Sequence, residues 1–335
     1  MFFYRVWYNK DGYFCAFILC KNINYKKEST IYEKLLGIAL ASAAAGLCLS
    51  ALKKASDEQT VELSPVKRSS PNKKAILVVS FGTSYAQTRE KTIGAIEEDF
   101  RSAFPEYTIR RAFTSKMIIK KLRERDGIEV DTVAQALEKL EAEGYSTVIC
   151  QPTHVMGGFE FDDVKREVEN WKGRFDHIAC GWPLLTSSED YEQVTEALVQ
   201  EFSDIPSDAA LVLMGHGTEH PANATYPALD YRLKARGCKN FFVGTVEGYP
   251  DLQTVMQEVA AIHASKVFLA PLMVVAGDHA INDLCGEEED SWKSCFEQAG
   301  YQTEPILKGL GEYPAFRRIY LEHCVQCIQS LESEQ

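Results

Sequence analysis

Two apolar runs in this chain each end at a glycine and a histidine. Residues 211–218 read Leu-Val-Leu-Met-Gly-His-Gly-Thr, and residues 269–283 read Leu-Ala-Pro-Leu-Met-Val-Val-Ala-Gly-Asp-His-Ala-Ile-Asn-Asp. A third run, Phe241-Phe242-Val243-Gly244-Thr245-Val246, ends at Glu247. Apolar, β-branched runs of this kind form buried parallel strands, and chemistry gathers where such strands end. His216, Glu247 and His279 are therefore expected at one rim of one sheet. Two imidazoles and a carboxylate suit a borderline divalent metal, and three protein donors leave room for a substrate. The absence of thiolates in this set fits delivery of an ion rather than storage. A neutral imidazole, with an ordinary pKa of about 6.5, also accepts a proton near neutral pH. Gly215 and Gly217 clear space on both sides of His216.

Other residues invite weaker readings. Phe81, Gly82, Thr83 and Ser84 close the first strand and are candidate substrate contacts. Gly82-Thr83-Ser84 lacks the spacing of either phosphate-binding glycine motif, so no nucleotide or organic cofactor is expected. His154 ends another strand and is open to two readings, a site role or plain structure. Asp278 is a candidate structural partner for His279. His177, His220, His263 and His323 read as surface residues, with His220 near the site. Arg89, Arg110, Arg111 and Lys116 are candidate cations for an acidic ligand. Glu287-Glu288-Glu289-Asp290 reads as a solvated helix start favoured by the helix dipole. Of the ten cysteines, only Cys324 and Cys327 form a close pair. They lie on a helical pattern with no second pair, which favours core or surface packing over zinc and leaves a disulfide open.

The elements that must hold these residues alternate. Strands are expected at 75–81, 107–113, 147–152 and 177–180, with helices at 86–104, 115–124, 131–143, 161–171 and 188–202. The pattern then restarts with strands at 210–215, 240–246 and 266–275. Helices are expected near 224–236, 250–263, 289–299 and 313–332. Such alternation implies α/β architecture with parallel sheets and right-handed crossovers. Ser80-Phe81-Gly82-Thr83 is similar to Gly215-His216-Gly217-Thr218, and Gln151-Pro152-Thr153-His154-Val155 to Ala270-Pro271-Leu272-Met273-Val274. Two lobes, 73–205 and 206–335, with a cleft between them follow from this repetition.

The chain has 335 residues and a formal net charge of -12, which argues against nucleic acid as a partner. Residues 35–52 carry no charge and are rich in Ala and Leu. Lys26, Lys27 and Lys34 precede them, and Lys53 and Lys54 follow. The segment reads as a signal peptide or membrane anchor, against a buried Ala-rich helix as the alternative. Residues 1–34 form an aromatic-rich extension of uncertain role, and 53–72 read as a polar linker. Export to the periplasm, with or without membrane attachment through 35–52, is the expectation. A cytoplasmic location is the alternative. The oligomeric state stays open, a homo-oligomer included.

Several ordered motifs carry a family resemblance. Val-Ser-Phe-Gly-Thr-Ser (79–84), Arg-Ala-Phe-Thr-Ser (111–115), Met-Gly-His-Gly (214–217), Val-Glu-Gly-Tyr-Pro (246–250), Ala-Gly-Asp-His-Ala-Ile-Asn-Asp (276–283) and Gly-Leu-Gly-Glu (309–312) resemble the class II chelatases, and within them the anaerobic-pathway sirohydrochlorin cobaltochelatases. The likeness covers about 73–330. It implies two flavodoxin-like lobes around a tetrapyrrole cleft. It also implies insertion of Co2+, with Fe2+ as a further possibility, into sirohydrochlorin without nucleotide. By the same resemblance His216, Glu247 and His279 hold the metal and His216 takes pyrrole protons. The export-like extension departs from the family pattern, so an exported tetrapyrrole or metal carrier without turnover is the competing expectation.

Overall fold

The computed structural model describes residues 72–333. The expectations for the extension, the 35–52 segment and nearly all of the linker lie outside the described residues.

Eight strands form two four-stranded parallel sheets. The first sheet contains β1 (Lys74–Ser80), β2 (Tyr107–Phe113), β3 (Thr147–Pro152) and β4 (His177–Cys180), in the order β2-β1-β3-β4. The second contains β5 (Ala210–Gly215), β6 (Phe241–Thr245), β7 (Lys266–Pro271) and β8 (Gln302–Pro305), in the order β6-β5-β7-β8. The two orders match strand for strand, as the internal repetition predicts. β8 is absent from the sequence expectation because its four residues, Gln-Thr-Glu-Pro, are polar and mostly exposed. Only its place beside β7 makes it a strand. β7 stops at Pro271, earlier than the apolar run to 275 suggests. Residues 272–279 leave the sheet and carry His279 toward the other lobe.

The first helix, α1, runs from Ala86–Arg89 through a π turn at Glu90–Gly94 into Ala95–Ala103. Then come α2 (Lys116–Asp126), α3 (Val133–Ala142), α4 (Phe159–Asn170) and α5 (Ser188–Glu201). Thr132 and Ser187 begin α3 and α5 with reciprocal capping boxes, each satisfying two orphan amides. In the second half lie α6 (Thr225–Ala235), α7 (Leu252–Ala261), α8 (Trp292–Gln298) and α9 (Pro314–Ser333).

Alternation on the buried strands feeds two faces of each sheet. Ala75, Leu77 and Val79 meet Leu137, Leu140 and Val164 on one side. Ile76 and Val78 meet Ile96, Phe100 and Leu198 on the other. That second cluster does not stop at the lobe boundary: it continues into Leu211, Leu213, Tyr226 and Leu229. The last helix crosses back, and α9 packs on α1, α5, β3 and β4 of the first lobe. Phe316, Ile319 and Tyr320 are its buried anchors, each contributing about 1.5–3 kcal/mol by burial. Among the described residues, no helix is long and apolar enough to cross a membrane.

His323, expected at the surface, is buried on α9. Its Nε2 lies 2.8 Å from Asp190 Oδ1, and its Nδ1 lies 3.1 Å from the Trp182 carbonyl. These partners satisfy the buried ring, and the His323 bond helps hold the Asp190 carboxyl below its ordinary pKa against the opposing effect of burial. Cys324 and Cys327 are buried free thiols.

Candidate metal centre

His216 follows β5, Glu247 follows β6 and His279 follows β7, so three adjacent strands deliver three donors to one rim. One ligand atom from each lies within 4.8 Å of the others. The two imidazole rings stand perpendicular with centroids 4.6 Å apart. Both histidines are half-buried, whereas Glu247 is exposed. Among the described residues, this is the one group of three or more His, Cys, Asp or Glu with such a spacing.

Local bonds fix how the donors face. His216 Nδ1 lies 2.9 Å from the Gly217 carbonyl, which can only accept. Nδ1 therefore carries the proton, and the Nε2 lone pair is free. His279 Nδ1 lies 2.7 Å from Asp283 Oδ2, which leaves its Nε2 free in the same way. A carboxylate behind an imidazole orients a ligand and raises its basicity. The Glu247 amide donates to the His216 carbonyl at 2.8 Å, so the two loops run on together past the end of the sheet. Gly217 has φ +84°, and a Cβ there would stand 2.6 Å from the Gly248 nitrogen. This close approach explains the glycine after His216. Gly309 plays a similar part for the loop before His279. Its Cβ would stand 2.5 Å from the Val274 carbonyl oxygen, where the Leu310 and Gly311 amides bond Met273 and Val274.

The other candidate residues fall elsewhere. Phe81 is 42% exposed at the end of β1, whereas Gly82, Thr83 and Ser84 are buried. Gly82 has φ +101° against the Phe113 ring, and the Thr83 carbonyl accepts from Arg89. His154 is not part of the donor group. Both its ring nitrogens are shielded from solvent and unpartnered, and burial pushes its pKa down to about 4. Arg111 holds Glu97 through two bonds, Arg110 pairs with Glu143, and Lys116 is exposed on α2. Cations that reach the rim loop are Arg125, whose guanidinium donates to the Ser84 carbonyl at 2.5 Å, and Lys121, 5.9 Å from the Tyr85 ring.

Asp278, expected beside His279, instead accepts from Tyr85 Oη at 2.9 Å, across the lobe boundary. Asp283 is the real partner of His279, and its i,i+4 spacing was the available signal. A second cross-lobe contact joins His220 to α4. Its Nδ1 accepts from the Ala222 amide, so Nε2 carries the proton toward Asp162 Oδ2 at 3.2 Å. Phe159 packs edge-on against the same ring at 4.9 Å. The two contacts use matching positions of the two halves. Tyr85 and His220 stand five residues beyond Ser80 and Gly215, and Phe159 and Asp278 stand seven beyond Pro152 and Pro271. Pseudo-equivalent loops therefore meet across the lobe boundary in two places.

A family model described as cobalt chelatase (CbiK) matches residues 74–329. The chain belongs to this cobalt chelatase family. The chelatase is 44% identical over 262 residues to the sirohydrochlorin cobaltochelatase of Salmonella typhimurium, an alignment covering 78% of this chain and 99% of that relative. It is 34% identical over 273 residues to the sirohydrochlorin cobaltochelatase CbiKC of Nitratidesulfovibrio vulgaris, covering 81% and 96% of the two. Its fold is similar to that of SirB from Bacillus subtilis, solved with Fe3+, at a TM-score of 0.55 and 14% identity over 78% of this chain and 98% of SirB. It is similar as well to a multi-domain protein of Deinococcus radiodurans, with a TM-score of 0.51 and 14% identity, covering 76% of this chain and 55% of that one. At such identities these two structures speak to the fold alone. They agree with the two parallel sheets of the chelatase.

Proposed function

We propose that this protein is a metal chelatase that inserts Co2+ into sirohydrochlorin, with His216, Glu247 and His279 holding the incoming ion. The observation that carries the reading is the donor group itself: two imidazoles and a carboxylate, each offering one ligand atom within 4.8 Å of the others. Nitrogen and oxygen donors bind Co2+ or Fe2+ firmly enough to collect it and loosely enough to release it. The family membership and the 44% identical relative point to cobalt.

Insertion exchanges protein donors for four macrocycle nitrogens and expels two pyrrole protons. As the ion passes to the ring, His216 Nε2 loses its metal bond and becomes a base. It is then placed to take one of the two protons, from the nitrogen the metal is approaching, and the other leaves to solvent. His216 thus serves first as ligand and then as acceptor. His279, held by Asp283, and the exposed Glu247 retain the ion until the exchange is complete. A cleft that binds the macrocycle bent exposes its lone pairs, which lowers the barrier by favouring the transition state. Lys121, over the Tyr85 ring, supports a contact with the acidic ring substituents despite the net charge of -12, whereas Arg125 is paired with Asp126.

Anaerobic absorbance spectroscopy with sirohydrochlorin and Co2+ tests the reading. The expected result is multiple-turnover conversion to the cobalt complex, lost in His216→Ala. Stoichiometric binding without conversion above the uncatalysed rate would favour a carrier instead.

The reading extends to an exported enzyme. The uncharged 35–52 segment, flanked by lysines, supports transfer across or attachment to a membrane. Cell fractionation checks this: recovery in the periplasmic or membrane fraction is expected, and recovery in the cytoplasm alone speaks against it.

A further inference from the structure

One side chain ties together the two loops that carry His216 and Glu247. Asn223 lies in the single turn Pro221–Ala224 that precedes α6. Its Oδ1 accepts from the Thr218 amide at 3.1 Å, and its Nδ2 donates to the Tyr249 carbonyl at 2.7 Å. Thr218 stands two residues beyond His216, and Tyr249 stands two beyond Glu247. The carboxamide thus spans the pair of loops just past their metal-facing residues. The fit is close, since a Cβ on Gly248 would stand 2.4 Å from Asn223 Oδ1.

The chemistry of the two partners specifies the residue. An amide N–H requires an acceptor and a carbonyl requires a donor, and a single short carboxamide supplies both. Aspartate keeps the first bond and sets a carboxylate against the Tyr249 carbonyl. Alanine loses both. Tyr226 supports the same loop from below: its Oη accepts from the Gly217 amide at 3.4 Å, and its ring occupies the space beside Gly215. With Tyr226 fixing the height of the loop, Asn223 fixes its separation from the Glu247 loop.

We propose that Asn223 is a positioning residue for metal handling, setting the distance between the His216 and Glu247 donors without touching the ion. The inference rests on the reading that these residues hold the substrate metal. Groups behind a ligand shell change metal affinity by about 10–100-fold when removed. The test is a Co2+ titration of the full-length protein, followed by the visible d–d absorption, for the wild type, Asn223→Ala, Asn223→Asp and Glu247→Ala. Asn223→Ala is expected to bind Co2+ about 10-fold more weakly, with an altered band shape. Its kcat falls while KM for the macrocycle stays near that of the wild type. Asn223→Asp, which retains the Thr218 bond, is expected to fall between the two and serves as the readout if the alanine variant fails to fold. Wild-type Co2+ affinity and band shape in a folded Asn223 variant, with Glu247→Ala weakened, overturns the positioning role and leaves the metal site standing. Unchanged affinity in Glu247→Ala overturns the metal site itself.

Discussion

At the residue scale, the donors depend on what stands behind them. His216 and His279 both lock Nδ1 as the proton-bearing nitrogen, one on the Gly217 carbonyl and the other on Asp283. Asp283→Asn should therefore weaken Co2+ binding about 10–100-fold by calorimetry, with little change in thermal stability. An unchanged Kd would remove Asp283 from the metal centre. His154 makes the opposite case, a histidine kept neutral. Its pKa is about 4 when folded, against an ordinary 6.5, so the unfolded chain binds the proton first. Stability from this residue is intact above about pH 6.5 and falls as pH drops toward 4, by about 3 kcal/mol in all. Urea titrations across that window should show a weaker loss in His154→Leu than in the wild type. Equal slopes would mean the ring finds a partner on protonation. The three candidate donors, which the fold brings together, were legible in sequence because each follows an apolar run. Asp278 and Asp283 were harder to tell apart. Both lie within a helical turn of His279, and only the fold shows that Tyr85 from the other lobe claims Asp278.

At the element scale, the strands were legible and the exits from them less so. Burial on both faces writes the middles of β1 (75–79) and β5 (210–214) as unbroken apolar runs, while β3 and β7 carry shorter or less completely buried ones. The polar edge strand β8 has no such signature. The apolar run beyond β7, with Leu272 buried and Met273, Val274 and Val275 half-buried, is held outside the sheet: the Leu310 and Gly311 amides bond its carbonyls, and Val275 packs on the Phe113 and Ile119 cluster. Glycines at the exits also have their reasons in three dimensions. A Cβ on Gly215 would stand 2.2 Å from a Tyr226 ring carbon. Gly215→Ala should cost about 1–3 kcal/mol through overpacking and depress turnover by lifting the His216 loop. Chemical denaturation together with the insertion assay checks both effects. Wild-type stability and rate in that variant would show that Tyr226 yields freely.

At the scale of the whole molecule, the two halves repeat one plan but share one core. The cluster containing Ile76, Phe100, Leu213, Tyr226, Phe316 and Tyr320 spans both lobes, and α9 returns from the second sheet to cover the first. Repetition of short motifs made the two lobes readable in the sequence. The return of α9 was not readable, since an amphipathic helix does not name the surface it covers. Phe316→Ala should cost about 3–5 kcal/mol and lower the stability of both lobes in one transition. Circular dichroism and tryptophan fluorescence should then report the same midpoint, whereas two separated midpoints would mean that the lobes unfold independently. A shared core joins the two lobes, and the matched contacts Tyr85–Asp278 and His220–Phe159 bridge them. The central claim is that His216, Glu247 and His279 collect the ion that is delivered into the ring. Anomalous diffraction at the cobalt edge, from crystals soaked in Co2+, tests it most directly. A single strong peak among His216 Nε2, His279 Nε2 and the Glu247 carboxylate, absent in His216→Ala, is the predicted result. A peak elsewhere, or one that persists in the variant, would contradict it.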